Sequence, residues 1–333
     1  MAIENAFSQP LVFAPLSGHH KHTVILLHGR GFNADVFSSQ ILTTQMSKLP
    51  LPIQNCDQGL ELGSQYASTG LATNFREALP DTKLIFPWGR KQRATVYKRS
   101  IIRQWFDDWH LSPNMTTDVA DLRYDEGLQT TALGETVAFL HTLIAKEAEL
   151  LGGAQKVALG GFSQGGAASL VAALLWSGEE QLAAVVGMSA WLPYQKQMME
   201  HFDSPSSCDG ANSLDCDELD LFEQSSLADD SGSDHTSTVT TSLDWLREEI
   251  EMPACGRPVS QQPKGTTSVL LCHGKQDQQV YAECGRQATE VFPRFGLEDV
   301  VWRTYEDVEH EISVNMLCDV ATFLRTKFES TNR

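Results

Sequence analysis

Ser163 stands in the run Leu159-Gly160-Gly161-Phe162-Ser163-Gln164-Gly165-Gly166-Ala167, a G-x-S-x-G core with further small residues beside it. A serine hydroxyl becomes a useful nucleophile when a sharp strand-to-helix turn holds it clear of the fold, and such a turn tolerates only small neighbours. The chemistry this points to is covalent acyl transfer, which also needs a base, an acid to orient it and donors for a developing oxyanion. Of the ten histidines, His310 is the best base, because it alone follows both Ser163 and a well-placed acid, Asp277. Asp307, Glu309 and Glu311 are also near it in sequence, but adjacent acids point wherever the local turn sends them. The amide of Gln164, next after the nucleophile, and that of Arg30, in the loop His28-Gly29-Arg30-Gly31, are the candidate oxyanion donors. A histidine base predicts a rate that rises with pH over about 6–7.

The elements that must hold these residues are legible as apolar runs and periodic stretches. Lys156 to Leu159 reads as a short buried strand, and Ala167 to Leu175 as a small-residue helix, so the serine sits between strand and helix. Val24 to Leu27 is an early strand feeding the 28–31 loop, followed by a helix from near Asn33. Ser268 to Gly274 is a strand whose following loop carries Asp277. Val300 to Tyr305 is the last strand, and the loop after it delivers His310 ahead of a closing helix from about Ile312 to Phe328. The stretch Glu126 to Leu151 repeats apolar residues at helical spacing and packs on the sheet. The remaining histidines have bland readings: His19, His20 and His22 exposed near the amino terminus, His110, His141 and His201 on surfaces or helices, His235 in a polar tract, and His273 in a structural His-Gly turn.

Taken together, His28-Gly29-Arg30-Gly31, Gln104-Trp105-Phe106-Asp107, Gly161 to Gly166, Ser189-Ala190-Trp191-Leu192-Pro193, His273-Gly274 with Asp277, and His310 resemble the acyl-protein thioesterase and carboxylesterase/lysophospholipase family. The resemblance runs from about Thr23 to Phe328 apart from insertions. It implies an α/β-hydrolase fold, with a mostly parallel central sheet and helices on both faces, and hydrolysis of acyl thioesters or carboxylic esters. S-acylated proteins, lysophospholipids and small esters are the substrates it implies. It also implies an acyl groove, for which Trp105, Phe106 and Trp191 are the candidate lining, although aromatic residues of this size also serve as core. Two residues depart from the family pattern, Arg30 where an apolar residue is common and Phe32 where an acid is usual. A small-metabolite esterase, a lysophospholipase and a catalytically silent binding module remain open as alternatives.

Composition fits this reading. A chain of 333 residues with 41% hydrophobic content can bury one substantial core, so residues 1–333 are read as one elaborated domain. No leader-like segment and no membrane span are found in the sequence. Seven cysteines, an odd number without metal-ligand or disulfide-framework spacing, fit reduced thiols in the cytoplasm. No cofactor and no metal is implied. The net charge of −18 argues against nucleic acid as a partner. Residues 195–263 hold about a dozen more acids than bases. They read as an acidic, mostly disordered insertion with a short helix near Leu243 to Ile250. A basic cluster from Arg90 to Arg103 stands against this background, and pairing with the protein's own acids is its simplest role.

Overall fold

The structure is a computed structural model that describes residues 7–46, 73–108, 127–203, 239, 242–252 and 265–330. Nine strands form along it: β1 Leu11–Phe13, β2 His22–Leu27, β3 Thr82–Phe86, β4 Arg90–Ala94, β5 Ser100–Gln104, β6 Val157–Phe162, β7 Ala184–Met188, β8 Ser268–Gly274 and β9 Val300–Tyr305. The helices are α1 Ala34–Thr43, α2 Phe75–Ala78, α3 Thr130–Leu151, α4 Gln164–Leu174, α5 Gln195–Asp203, α6 over 242–249, α7 Ala282–Val291 and α8 Val314–Ser330.

Seven strands make one sheet in the order β1-β3-β2-β6-β7-β8-β9, parallel except for the antiparallel edge strand β1. Strands β2, β6, β7 and β8 are buried throughout, as expected where both faces of a parallel sheet are covered. Alternate residues feed two cores. Ile25, Leu27, Leu159, Val185 and Leu271 pack with Val137 and Leu140 of α3, Leu170 of α4 and Val291 of α7. Val24, Leu26, Val186 and Leu270 pack with Phe37 of α1, Phe75 of α2 and Val320 and Leu324 of α8. The period of two along each strand is what divides the apolar residues between the faces. This is the α/β-hydrolase architecture that the sequence implied.

The carboxyl ends of β2, β6, β7, β8 and β9 all lie on one edge of the sheet, so the loops after them converge. Those loops carry Arg30, Ser163, Trp191, Asp277 and His310.

The fold differs from expectation at several places. The basic cluster, for which no strands were read from the sequence, forms a separate antiparallel hairpin, β4 with β5. β4 alternates partly covered and exposed polar residues up to the buried Ala94, and β5 places Ile101 and Ile102 side by side, so no apolar period marks them. Within it Arg90 pairs with Glu135, Arg103 donates to the Gly89 carbonyl at 2.9 Å and lies over the Trp88 ring. His22 is buried rather than exposed, stacked on Phe328 at 4.2 Å. Burial, first of all, lowers its pKa to about 4. The start of α3 falls at Thr130, later than the periodicity predicted.

Both described ends of the acidic segment are packed. Ser242 Oγ donates to the Met198 carbonyl at 2.7 Å, Leu246 and Ile250 are completely buried, and Gly134 of α3 lies so close to the Ile250 carbonyl that a Cβ would overlap it. Residues 204–238 and 253–264 lie outside the described residues, as do Trp109, His110, Cys56, Cys208, Cys216 and Cys255. Among the described residues, no helix is long and apolar enough to cross a membrane.

Candidate active site

The turn at Ser163 is sharp in the way its sequence requires. Ser163 has φ 54° and ψ −125°, ends β6 and caps α4. A non-glycine residue there stores strain of about 1–3 kcal/mol. Its amide donates to the Met188 carbonyl at 2.8 Å and its carbonyl accepts from Ala167 at 3.0 Å, which holds the turn from both sides. A Cβ at Gly165 would come 2.5 Å from both the Leu27 and the His28 carbonyls. Backbone atoms cannot yield as a side chain would. Gly165→Ala is therefore expected to lower stability by about 1–3 kcal/mol and to reduce any activity of Ser163 at least about tenfold by shifting the turn. Urea unfolding and a rate assay check this together; wild-type values for both would show that the close approach is unimportant.

Ser163 Oγ is 2.9 Å from His310 Nε2, and His310 Nδ1 is 2.7 Å from Asp277 Oδ2. Ser163 is largely buried, with 8% of its surface exposed. His310 rests against the Phe162 ring at 4.8 Å. The loops that carry Asp277 and His310 are joined by backbone bonds, Lys275 to the Tyr305 carbonyl at 2.8 Å and Gln276 to the Val308 carbonyl at 3.0 Å. Gly274 lies under the Val308 carbonyl, where a Cβ would overlap it. Asp307, Glu309 and Glu311 are exposed, and His310 Nδ1 faces Asp277 instead.

Asp277 is buried and fully engaged. Its Oδ1 accepts from the amides of Gln279 and Val280, each at 2.9 Å. Burial alone would raise its pKa, but hydrogen bonds from His273, His310 and the Val280 amide outweigh it and hold the carboxyl well below the usual carboxylate range. The group is therefore an anion wherever the protein is folded near neutral pH. A serine hydroxyl, an imidazole and a buried carboxylate so linked can pass a proton from Oγ to Nε2 while the carboxylate steadies the imidazolium.

The glycine loop lies against Ser163. A Cβ at Gly29 would stand 3.5 Å from Ser163 Cβ and 3.1 Å from the Phe162 ring. The amide of Gly31 is taken by the Arg103 carbonyl at 2.8 Å and that of Phe32 by the Gly29 carbonyl at 3.2 Å. Arg30 precedes them, and Gln164 opens α4, where the first amides have no partner within the helix. The Arg30 side chain turns away to an ion pair with Asp108, both largely buried. Burial lowers the pKa of its guanidinium.

Sequence reasoning missed the roles of several side chains here. His28 Nε2 accepts from the Gly89 amide at 2.9 Å, so its proton sits on Nδ1, which donates to the Gly29 carbonyl at 2.8 Å. Burial, aided by Arg103, lowers its pKa to about 4 despite that carbonyl, and a neutral ring keeps both bonds. Gln164 is more than an amide. Its Oε1 accepts from the Trp105 amide at 3.0 Å and its Nε2 donates to the Phe106 carbonyl at 2.7 Å. Trp105 Nε1 donates to the His28 carbonyl at 2.7 Å, and Thr136 Oγ1 to the Trp105 carbonyl at 2.6 Å. Trp105 and Phe106 are completely buried, and Trp191 meets Phe106 edge to face at 6.2 Å. Nothing in residue type or spacing signals these bonds, because they join segments far apart in the chain. Among the described residues, no group of three or more His, Cys, Asp or Glu side chains is placed to hold a metal ion.

Comparison with known proteins gives concordant likenesses. A family model described as phospholipase/carboxylesterase matches residues 61–208 and 255–328. The chain is 24% identical over 323 residues to a protein of Gibberella zeae named acyl-protein thioesterase 1, covering 97% of each. It is 22% identical over 256 residues to the Emericella nidulans protein of the same name, covering 76% of this chain and 81% of that one. Among solved structures, Zea mays acyl-protein thioesterase 2 has a like fold, with a TM-score of 0.58 at 20% identity, covering 96% of this chain and 99% of the other.

Proposed function

Since the chain belongs to the phospholipase/carboxylesterase family of serine hydrolases, we propose that Ser163, His310 and Asp277 form its catalytic triad and that acyl thioesters are its substrates, S-acylated proteins foremost. The observation that carries the proposal is the unbroken series from Ser163 Oγ to His310 at 2.9 Å and from His310 to Asp277 at 2.7 Å. His310 takes the hydroxyl proton as Oγ attacks the acyl carbonyl. The carbonyl oxygen becomes an oxyanion, held by the amides of Arg30 and Gln164. His310 then gives its proton to the departing thiolate or alkoxide, leaving an acyl ester on Ser163. Water, deprotonated by His310, attacks that ester; the carboxylic acid leaves and Ser163 regains its proton.

The choice of thioester over other esters is supported by the two fungal relatives named acyl-protein thioesterase 1. Trp105, Phe106 and Trp191 border the acyl site in this reading. The backbone of Trp105 and Phe106 is held by Gln164 and Thr136, the Trp105 ring by the His28 carbonyl, and Trp191 packs on Phe106, so in this reading the first two back the groove from within the core. The same proposal includes a single hydrolase domain interrupted by the acidic segment 195–263, supported by the unmatched stretch 209–254. It also includes residence in the cytoplasm, which suits the free thiols of Cys272, Cys284 and Cys318.

The test is hydrolysis of p-nitrophenyl esters from acetate to palmitate, alongside a palmitoyl thioester, by wild type and Ser163→Ala. A kcat/KM that rises with chain length, is largest for the thioester and vanishes in the variant is expected. A preference for acetate would make the protein a small-ester hydrolase instead.

A further inference from the structure

His273 is the penultimate residue of β8 and is completely buried. Its Nε2 is 2.7 Å from the Val280 carbonyl and 3.4 Å from Asp277 Oδ2. A carbonyl oxygen can only accept, so the ring carries its proton on Nε2. Nδ1 is buried with no partner among the described residues. It faces the backbone of Gly285, where a Cβ would lie 2.8 Å away. A second proton, on Nδ1, would be buried without an acceptor, which is costly. His273 is therefore a neutral ring with one N–H, and both oxygens within its reach belong to the Asp277 loop.

Resting on the assignment of Asp277 as the acid of the triad, we propose that His273 is a positioning residue, whose single N–H, bonded to the Val280 carbonyl beside Oδ2, holds the Asp277 loop and its carboxylate in line for His310. Oδ2 is 2.7 Å from His310 Nδ1 and 3.4 Å from His273 Nε2. Oδ1 is held by the Val280 and Gln279 amides, and Val280 is itself held through its carbonyl by His273. The His273 N–H is thus bonded to the Val280 carbonyl and lies near Oδ2, so it steadies the carboxylate chiefly through the loop that holds Oδ1. Such partners behind a reacting group commonly govern its orientation. The sequence marks His273 only as the first half of a His-Gly turn, and the structure gives the ring a second task.

The experiment compares the full chain with His273→Gln, whose amide can donate where Nε2 does, and His273→Leu, which fills the site without a donor. Steady-state rates are followed from about pH 5 to about pH 9. His273→Gln is expected to keep kcat within about threefold of wild type and His273→Leu to lose about 10–100-fold in kcat with KM little changed. Without the second donor the carboxylate charge is concentrated on His310, so the acidic limb of the His273→Leu profile should move to higher pH. A leucine variant with the wild-type limb, or a glutamine variant impaired as much as leucine, would overturn the inference. Should the leucine variant not fold, His273→Asn, whose shorter amide moves the donor off Val280, takes its place with the same expectation. Labelling of wild-type Ser163 by a fluorophosphonate separates the two levels. No labelling removes the triad itself, whereas full labelling with an unmoved profile removes only the role of His273.

Discussion

Ser163→Ala is expected to lower kcat for ester and thioester hydrolysis by a factor on the order of 10⁶, with little change in unfolding. In the proposed mechanism the hydroxyl is the atom that forms the acyl bond, and among the described residues it is the hydroxyl bonded to His310 Nε2. Alanine keeps the tight approach of Gly161, Gly165 and the Leu27 carbonyl intact, so the turn and the sheet edge should survive. The informative pair of measurements is the turnover rate and the urea midpoint. A variant that unfolds readily would attribute the loss to the fold, and a variant that retains more than about one-hundredth of the rate would exclude Ser163 as nucleophile.

Asp277→Asn should cost about 10⁴-fold in kcat. The asparagine amide can be turned either way, but it carries no charge to steady the imidazolium, and an N–H facing His310 would force the ring into the wrong tautomer. A second expectation follows from linkage. The Asp277 carboxyl has a folded-state pKa held below its unfolded value, which is about 3.9, by hydrogen bonds that outweigh its burial. Its contribution to stability is therefore fully present above the unfolded pKa and is lost as pH falls through the folded one. Wild type should lose more stability than Asp277→Asn on acidification below about pH 4. Parallel urea titrations at falling pH measure this. Identical slopes for the two proteins would mean that the carboxylate is not held as described.

How much of this could be read beforehand depended on whether the signal was local. The strand, serine turn and helix from Val157 to Leu174 are visible because small residues and apolar runs succeed one another over a short stretch. The loops after β8 and β9 are visible for the same reason, and a parallel sheet brings their ends together without further information. The hairpin β4 with β5 is invisible because its exposed strands need no apolar alternation. The edge strand β1 is only three residues long, too short to display a period. His22 reads as surface among His19, His20 and Lys21, but its partner Phe328 arrives from the far end of the chain. The bonds of His28 to Gly89, of Gln164 to Trp105 and Phe106, and of Arg30 to Asp108 likewise join distant segments. They hold the 28–31 loop, α4 and the Trp105-Phe106 segment as one unit. Residue type says what such a side chain could bond, while only the fold says what it meets.

The claim on which the rest depends is that Ser163 is made nucleophilic by His310 and Asp277. Its most direct test is labelling with a fluorophosphonate, which phosphonylates an activated serine, followed by intact-mass measurement and mapping of the modified peptide. One added group on wild type, at Ser163, is the predicted result, absent in Ser163→Ala and greatly slowed in His310→Ala and Asp277→Asn. Hydrolytic activity in a protein that takes no label at Ser163, or that takes it equally fast without His310, would contradict the account.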